Sequence, residues 1–325
     1  MKIKFTFFLI FTLNFLFGQK EIVLRLNHVI NDTAFSYNTN FLLNGNLNQY
    51  TRLQYYLSSL EIEHDQGQST FLTNTYVLAS GHVNNYYLGN FNISSAESIS
   101  FDVGVDPIAN SGNTTNFSAN HPLGPKSPPM DWGWPSGYFF VVTNGLTAST
   151  NNNSPNIPFE LHALGNQMLT SIDPIYINPI NSNDTIYIDL KVNSERFLSE
   201  IDLENAGIDH SSSSNNQMMC SNASTMNIFE DGSNLSTDLN INNDSKNYIS
   251  LDYTLPFAPT IYYHFQSSRK TNLSITDLNG RIFISKNNLP NHGSYFPLKE
   301  FSSGIYILII ENGQERLTKK FNVIQ

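Results

Sequence analysis

The segment TIYIDLKV, Thr185–Val192, decides the fold class of this chain. Its aliphatic residues occupy every second position, which is the two-residue period of a β-strand with two unlike faces. Segments of the same β-favouring character recur upstream: Glu21–Val29, Leu53–Glu63, Tyr76–Ala79, Ser98–Val105, Tyr138–Thr143 and Phe159–Leu164. Short strands without alternating helices predict an all-β protein built as an antiparallel β-sandwich.

Turns and two short helices complete the predicted body. The pairs Asn44-Gly45 and Asn144-Gly145 are typical of turns between strands. Ser194 is suited to cap a helix that turns Phe197, Leu198 and Ile201 inward. The spacing of Met219, Ala223 and Met226 predicts a second helix.

The N-terminus is typical of a secretory signal peptide over residues 1–18. Lys2 and Lys4 precede the apolar run Phe5–Phe17, and Gly18 provides a small residue for cleavage. The run is too short to span a bilayer comfortably, and no other segment approaches spanning length. We therefore expect export and no membrane span in the mature protein.

The C-terminus predicts a separate small β-sandwich over residues 249–325, joined by a polar linker over residues 231–248. Asn279-Gly280 and Asn312-Gly313 predict two hairpins. This region resembles the C-terminal sorting domain of type IX secretion through Asp277–Arg281, Gly304–Ile307 and the basic end Lys319–Phe321. The resemblance implies recognition by the type IX secretion machinery, removal of the domain, and a secreted or outer-membrane surface-attached product.

Charge and cysteine content narrow the function classes. The chain has 325 residues, one cysteine (Cys220) and a net charge of −10. Residues 19–248 alone carry seven basic and twenty-two acidic side chains, a net charge of −15. Such an acidic body argues against nucleic acid as a partner. A single cysteine excludes an internal disulfide.

The loop HPLGPKSPPMDWGWPSGY, His121–Tyr138, is the densest source of functional side chains. It contains both tryptophans, Trp132 and Trp134, on a backbone stiffened by proline. Rigid loops that present aromatic and ligand-type side chains often carry function. The alternative is that both tryptophans fill a core.

Histidines and one methionine are the candidate metal ligands. His162 shares a strand face with Glu160, opposite Phe159 and Leu161, and His121 lies in the rigid loop. His28, at the end of the first strand, and the thioether of Met130 are further candidates. A set of two imidazoles with a sulfur or an aromatic-derived ligand favours copper over zinc. The remaining body histidines lie in polar turn contexts and are expected to be solvated: His64, His82 and His210.

The ordered motifs of the body resemble the copper-binding MbnP-like family. The residues that carry the resemblance are Leu53–Ser58, Phe101–Asp106, His121–Leu123, Met130–Trp134, Ser136–Tyr138, Phe159–His162 and Met226–Phe229. It implies that residues 19–230 form a β-sandwich domain that binds copper through His121 and His162. It also implies that Trp132 or Trp134 is a candidate for oxidation to kynurenine by a dihaem peroxidase-like maturation partner.

These observations predict an exported copper-binding protein that serves acquisition or buffering and is not an enzyme. The alternative is an adhesion or glycan-binding sandwich without metal, in which Trp132, Trp134 and Tyr138 stack on sugars. A hydrolase is the third possibility, although the sequence contains no nucleophile elbow, P-loop or His-Glu-x-x-His motif.

Overall fold

Strands form most of the part of the chain that the computed structural model describes. It describes residues 19–81, 85–133, 136–149, 154–182, 184–233, 247–252, 260–265, 269–289, 292–295, 301–313 and 315–323. The predicted signal peptide and most of the predicted linker lie outside these ranges. The body strands are β1 (Lys20–Ile30), β2 (Thr33–Ala34), β3 (Phe41–Leu43), β4 (Asn46–His64), β5 (Gln68–Phe71), β6 (Val77–Ser80), β7 (Asn85–Phe91), β8 (Ala96–Val103), β9 (Phe139–Thr147), β10 (Ile157–Leu164), β11 (Thr170–Tyr176), β12 (Ile180–Ser182), β13 (Thr185–Asn193), β14 (Ile208–Asp209) and β15 (Phe229–Asp231).

Two sheets pack face to face, so the predicted all-β sandwich is confirmed. One sheet has the order β12-β13-β1-β2, with β15 also on β13 and β7 also on β1. The other has the order β11-β8-β4-β9-β10-β14, with β3, β5 and β6 also on β4. Leu24 and Ile188 from the first sheet share one buried core with Leu53 and Leu161 from the second. The apolar positions of the alternating strands therefore form the interior, as the hydrophobic effect requires.

Two strand pairs are parallel, which local sequence patterns do not predict. β1 pairs with β13 in parallel, and β14 pairs with β10 in parallel. Parallel neighbours need a long crossover rather than a tight turn, and both pairs are joined by long stretches of chain. The remaining pairs of the body are antiparallel.

The predicted turn at Asn144-Gly145 is wrong, because both residues lie within β9. A Cβ atom on Gly145 would lie 2.1 Å from the carbonyl oxygen of Gln49 and 2.5 Å from the Phe159 ring. Glycine is needed here for close packing rather than for chain reversal. Asn44-Gly45 does connect β3 to β4, with the positive φ angles of 52° and 85° that suit such a turn.

The helices are short. They are α1 (Pro107–Asn110), α2 (Leu203–Ala206) and α3 (Ser214–Thr225), with 3₁₀ turns at Thr114–Asn116, Asn166–Met168 and Ser194–Leu198. The helix predicted after Ser194 is a 3₁₀ turn with Asn193 at its N-cap, although Phe197 and Leu198 are buried as expected. α3 buries Met219 and Ala223. None of the helices in the described ranges is long and apolar enough to span a bilayer.

The C-terminal region has its own sheets and its own core. Its strands are β16 (Asn247–Asp252), β17 (Thr260–Phe265), β18 (Thr271–Asp277), β19 (Ile282–Leu289), β20 (His292–Tyr295), β21 (Gly304–Asn312) and β22 (Glu315–Val323). β16-β17-β20 form one sheet and β19-β18-β21-β22 another. Ile261, Ile275 and Leu308 belong to a core separate from that of the body. Both hairpins predicted in this region are present.

Candidate metal centre

Three ligand-type side chains meet where β10 lies beside β14. The ligand atoms of Glu160, His162 and His210 all lie within 4.8 Å of one another. Within the described ranges, no other group of three or more His, Cys, Asp or Glu side chains is close enough to hold one ion. Metal–nitrogen bonds of about 2 Å place two ligands of one ion about 4 Å apart. The three side chains are therefore near enough to share one ion once their ligand atoms turn toward it.

The strand register explains how residues distant in sequence meet. Glu160 and His162 lie on the same face of β10, as the alternation predicts. Ile208 pairs with Glu160 and Asp209 with Leu161, so the chain reaches His210 one position further along. The parallel pairing of β14 thus delivers His210 to the face that carries His162.

Asn216 on α3 holds the two segments together. Its buried side-chain amide donates to the carbonyl oxygens of Ser211, Asp209 and His162 at 3.0, 3.2 and 3.3 Å. Ser213 caps α3 by accepting from the Asn216 backbone N–H at 3.3 Å. The start of α3 therefore fixes the backbone on both sides of His210.

His162 is buried but not fully bonded. Its side chain is 5% exposed, and its Nε2 lies 2.8 Å from Asn144 Oδ1. Its Nδ1 is buried without a hydrogen-bond partner in the described part of the protein. Burying a polar atom without a partner costs free energy, so such an atom needs an explanation. A bound metal ion would supply the missing interaction.

The two imidazoles stack in parallel. The ring centroids of His162 and His210 are 4.0 Å apart, and the planes differ by 1°. His210 Nε2 lies 3.3 Å from Glu160 Oε2. Burial, the neighbouring His210 and Arg52 together lower the pKa of His162 to about 3. His162 is therefore a neutral imidazole near pH 7, the form that binds metals.

Acid is expected to destabilise the fold through His162. The unfolded chain takes up a proton near the ordinary pKa of 6.5, whereas folded His162 resists protonation down to about 3. Below 6.5 the unfolded state thus binds more protons, and the free energy of unfolding falls as the pH drops. Urea midpoints measured at about pH 7.5 and about pH 5 should differ less in His162→Gln than in wild type. An unchanged difference would contradict this role for His162.

Trp132 packs against the exposed side of the cluster. Its indole is 55% exposed, lies 5.2 Å from the His210 ring and 5.7 Å from the Phe139 ring, and meets both rings edge-on. Its backbone N–H donates to Gly137 O at 2.9 Å, which closes the loop before β9. Trp132 is therefore not a core residue. Trp134 lies outside the described residues.

The other predicted ligands have partners of their own. His121 stacks on Phe117 with ring centroids 4.4 Å apart, and its Nδ1 accepts from the Leu123 N–H at 3.1 Å. Met130 is buried, and its Sδ accepts from Arg52 Nη2 at 3.1 Å. His28 is buried, with its Nε2 2.9 Å from the Tyr55 hydroxyl. Of the pair expected from the sequence, His162 belongs to the group of three ligand side chains and His121 does not.

Of the three histidines expected to be solvated, His64 is buried and His210 is only partly exposed. His210 joins the cluster, and only the parallel pairing of β14 with β10 could have revealed it. His64 is buried, with its Nδ1 3.0 Å from Asp65 Oδ2 and its Nε2 2.8 Å from Thr70 Oγ1. His82 lies outside the described residues.

One aromatic residue expected to stack on sugars is unavailable. Tyr138 is buried, and its hydroxyl donates to Leu123 O at 2.7 Å. Of the three aromatic rings proposed for glycan stacking, Trp132 is the one shown to be exposed.

The donor set fits a transition metal. Two imidazoles and a carboxylate are accepted by Zn²⁺, Cu²⁺ and Fe²⁺. Mg²⁺ and Ca²⁺ prefer oxygen ligands, so a set with two imidazole nitrogens does not suit them. The geometry by itself thus indicates a transition metal without choosing among these ions.

Comparison with known proteins assigns both regions of the chain. The MbnP family model matches residues 19–222, and the model of the secretion system C-terminal sorting domain matches residues 253–324. Among solved structures, MbnP from Methylosinus trichosporium is similar, with 15% identity and a TM-score of 0.40. The likeness covers 58% of this chain and 82% of that one. No curated protein sequence matches the chain.

Proposed function

Because the chain belongs to the MbnP family, we propose that its body domain binds copper through His162 and His210. The observation that carries the proposal is that His162, a member of a group of three ligand side chains, has a buried Nδ1 without a partner. Glu160 supplies a carboxylate at the exposed side of the group. The family resemblance favours copper among the transition metals that this donor set accepts.

Trp132 is the tryptophan that we propose for modification. Its ring contacts the His210 ring, so a kynurenine formed there would bring an aromatic amine and a ketone to the cluster. Such an oxidation needs an external oxidant, a peroxide, which a dihaem peroxidase-like partner would use to oxidise the indole. The exposure of Trp132 leaves its indole open to that partner.

The location of the protein constrains its role. The sorting domain routes the chain through type IX secretion to the cell surface or the extracellular space. We propose copper acquisition or buffering there, without a catalytic step. A site that holds an ion with few ligands next to solvent suits uptake and release better than permanent storage.

Metal content tests the proposal directly. Mature protein isolated from copper-supplemented cells is expected to retain a single copper ion, whereas His162→Ala protein is expected to retain none. Titrations with Cu⁺ and Zn²⁺ against competing chelators would then rank the two metals. A site that keeps zinc when copper is present would refute copper binding. A His162→Ala protein that loads copper as wild type does would refute binding through His162. Peptide mapping of the same samples locates any oxidised tryptophan.

A further inference from the structure

We propose that Asn144 is a positioning residue that holds His162 with its Nδ1 toward the ion, so that His210 is the ring that turns to complete the centre. The inference rests on the proposed metal-binding function and adds to it a fixed ligand, a moving ligand and the residue that decides between them. Asn144 contributes no ligand itself and acts through His162.

The contact between Asn144 and His162 selects one tautomer. Asn144 Oδ1 lies 2.8 Å from His162 Nε2 and can only accept, so we infer that Nε2 carries the proton and donates it. A neutral imidazole has one N–H and one lone pair, so the lone pair then lies on Nδ1. That atom is the buried nitrogen without a partner. Partners of this kind orient metal-bound histidines and strengthen the ligand.

The packing of β9 explains why Asn144 is available for this contact. Asn144 pairs with Glu160 across the sheet, and Val142 pairs with His162. The chain stays extended through Gly145, where the Gln49 carbonyl and the Phe159 ring leave no room for a Cβ atom. Asn144 therefore stands on the same sheet face as the cluster, one row from His162.

The parallel rings cannot both bind one ion in their present orientation. Imidazole lone pairs lie in the ring planes, and these planes are parallel with ring centroids 4.0 Å apart. The two lone pairs therefore do not converge on one point. At least one ring must rotate when an ion binds.

His210 is the less firmly held ring, although Trp132 and Phe139 meet it edge-on with ring centroids 5.2 and 6.0 Å away. His162 is held by Asn144 and by the edge of Phe139, with ring centroids 5.0 Å apart. His210 follows the last residue of β14, is partly exposed, and makes a longer contact of 3.3 Å with Glu160. Rotation of His210 thus breaks weaker interactions than rotation of His162.

The tautomer can be measured in the metal-free protein. Two-bond ¹⁵N–¹H correlations on labelled histidine distinguish a proton on Nε2 from one on Nδ1, and His162→Gln assigns the signal. Wild type is expected to show His162 protonated at Nε2. Asn144→Leu, which removes the acceptor at similar volume, should populate both tautomers and weaken Cu⁺ binding by about 10–100-fold. Asn144→Asp, which keeps an acceptor, should retain the Nε2–H tautomer and the wild-type affinity for Cu⁺.

The addition of Cu⁺ tests which ring moves. The Nε2–H signal of His162 should persist in the complex, while the His210 signals shift away from their stacked values. Protonation of wild-type His162 at Nδ1 would overturn the proposal, as would an Asn144→Leu protein that loses affinity with its tautomer unchanged. If wild type shows the expected tautomer but binds no Cu⁺, the proposed function fails and the Asn144 contact stands.

Discussion

Replacement of His210 by alanine is expected to weaken copper binding by about 100-fold or more, whereas replacement of His121 should change it only slightly. Loss of a residue that merely orients a ligand costs about 10–100-fold, so loss of a ligand should cost at least as much. His210 lies within ligand distance of His162. His121 instead uses its Nδ1 to accept from the Leu123 N–H and stacks on Phe117. Competition titrations with Cu⁺ measure both variants against wild type.

The comparison is internally controlled, because each variant removes one partly buried imidazole from the same domain. Urea unfolding of both variants would show whether a change in affinity reflects lost structure. His162→Ala should resemble His210→Ala if the two residues share one ion. A larger loss of affinity in His121→Ala than in His210→Ala would move the copper centre to the proline-rich loop and contradict the cluster described above.

The candidate site could be predicted from the sequence only in part. Strand alternation placed Glu160 beside His162 correctly, because two residues apart on a strand means the same face. His210 escaped prediction because it is 48 positions from His162, in a polar segment that resembles a solvated turn. Asn144 escaped because Asn-Gly is a strong turn signal, and the packing that overrides it comes from Gln49 and Phe159.

The fold could also be predicted only in part, because local sequence patterns locate strands but do not determine which strands pair. Period-two patterns and Asn-Gly turns act over a few residues, so the strands and the C-terminal hairpins could be located from them. Strand partners depend on contacts between distant segments. The parallel pairing of β1 with β13 places Arg25 opposite Asp189 and has no local signature.

The ion pair between Arg25 and Asp189 yields the largest expected effect on stability. Asp189 is 4% exposed, and both of its carboxylate oxygens accept hydrogen bonds from the Arg25 guanidinium. The guanidinium also lies over the Tyr187 ring, 4.6 Å from the centroid. Asp189→Ala leaves this partly buried cation without its carboxylate. We expect it to lower the free energy of unfolding by about 3–5 kcal/mol, measured by urea denaturation.

Two further variants separate loss of charge pairing from loss of packing. Arg25→Met combined with Asp189→Leu removes both charges and keeps apolar volume, so it should cost much less than Asp189→Ala alone. Asp32→Ala breaks the pair with Lys191, in which Asp32 is 79% exposed. Solvent screens that pair, so its loss should cost at most about 1 kcal/mol. Equal losses in Asp189→Ala and the double variant would show that Asp189 contributes through packing rather than through neutralising Arg25. The parallel pairing of β1 with β13 would then be stabilised by its apolar face alone.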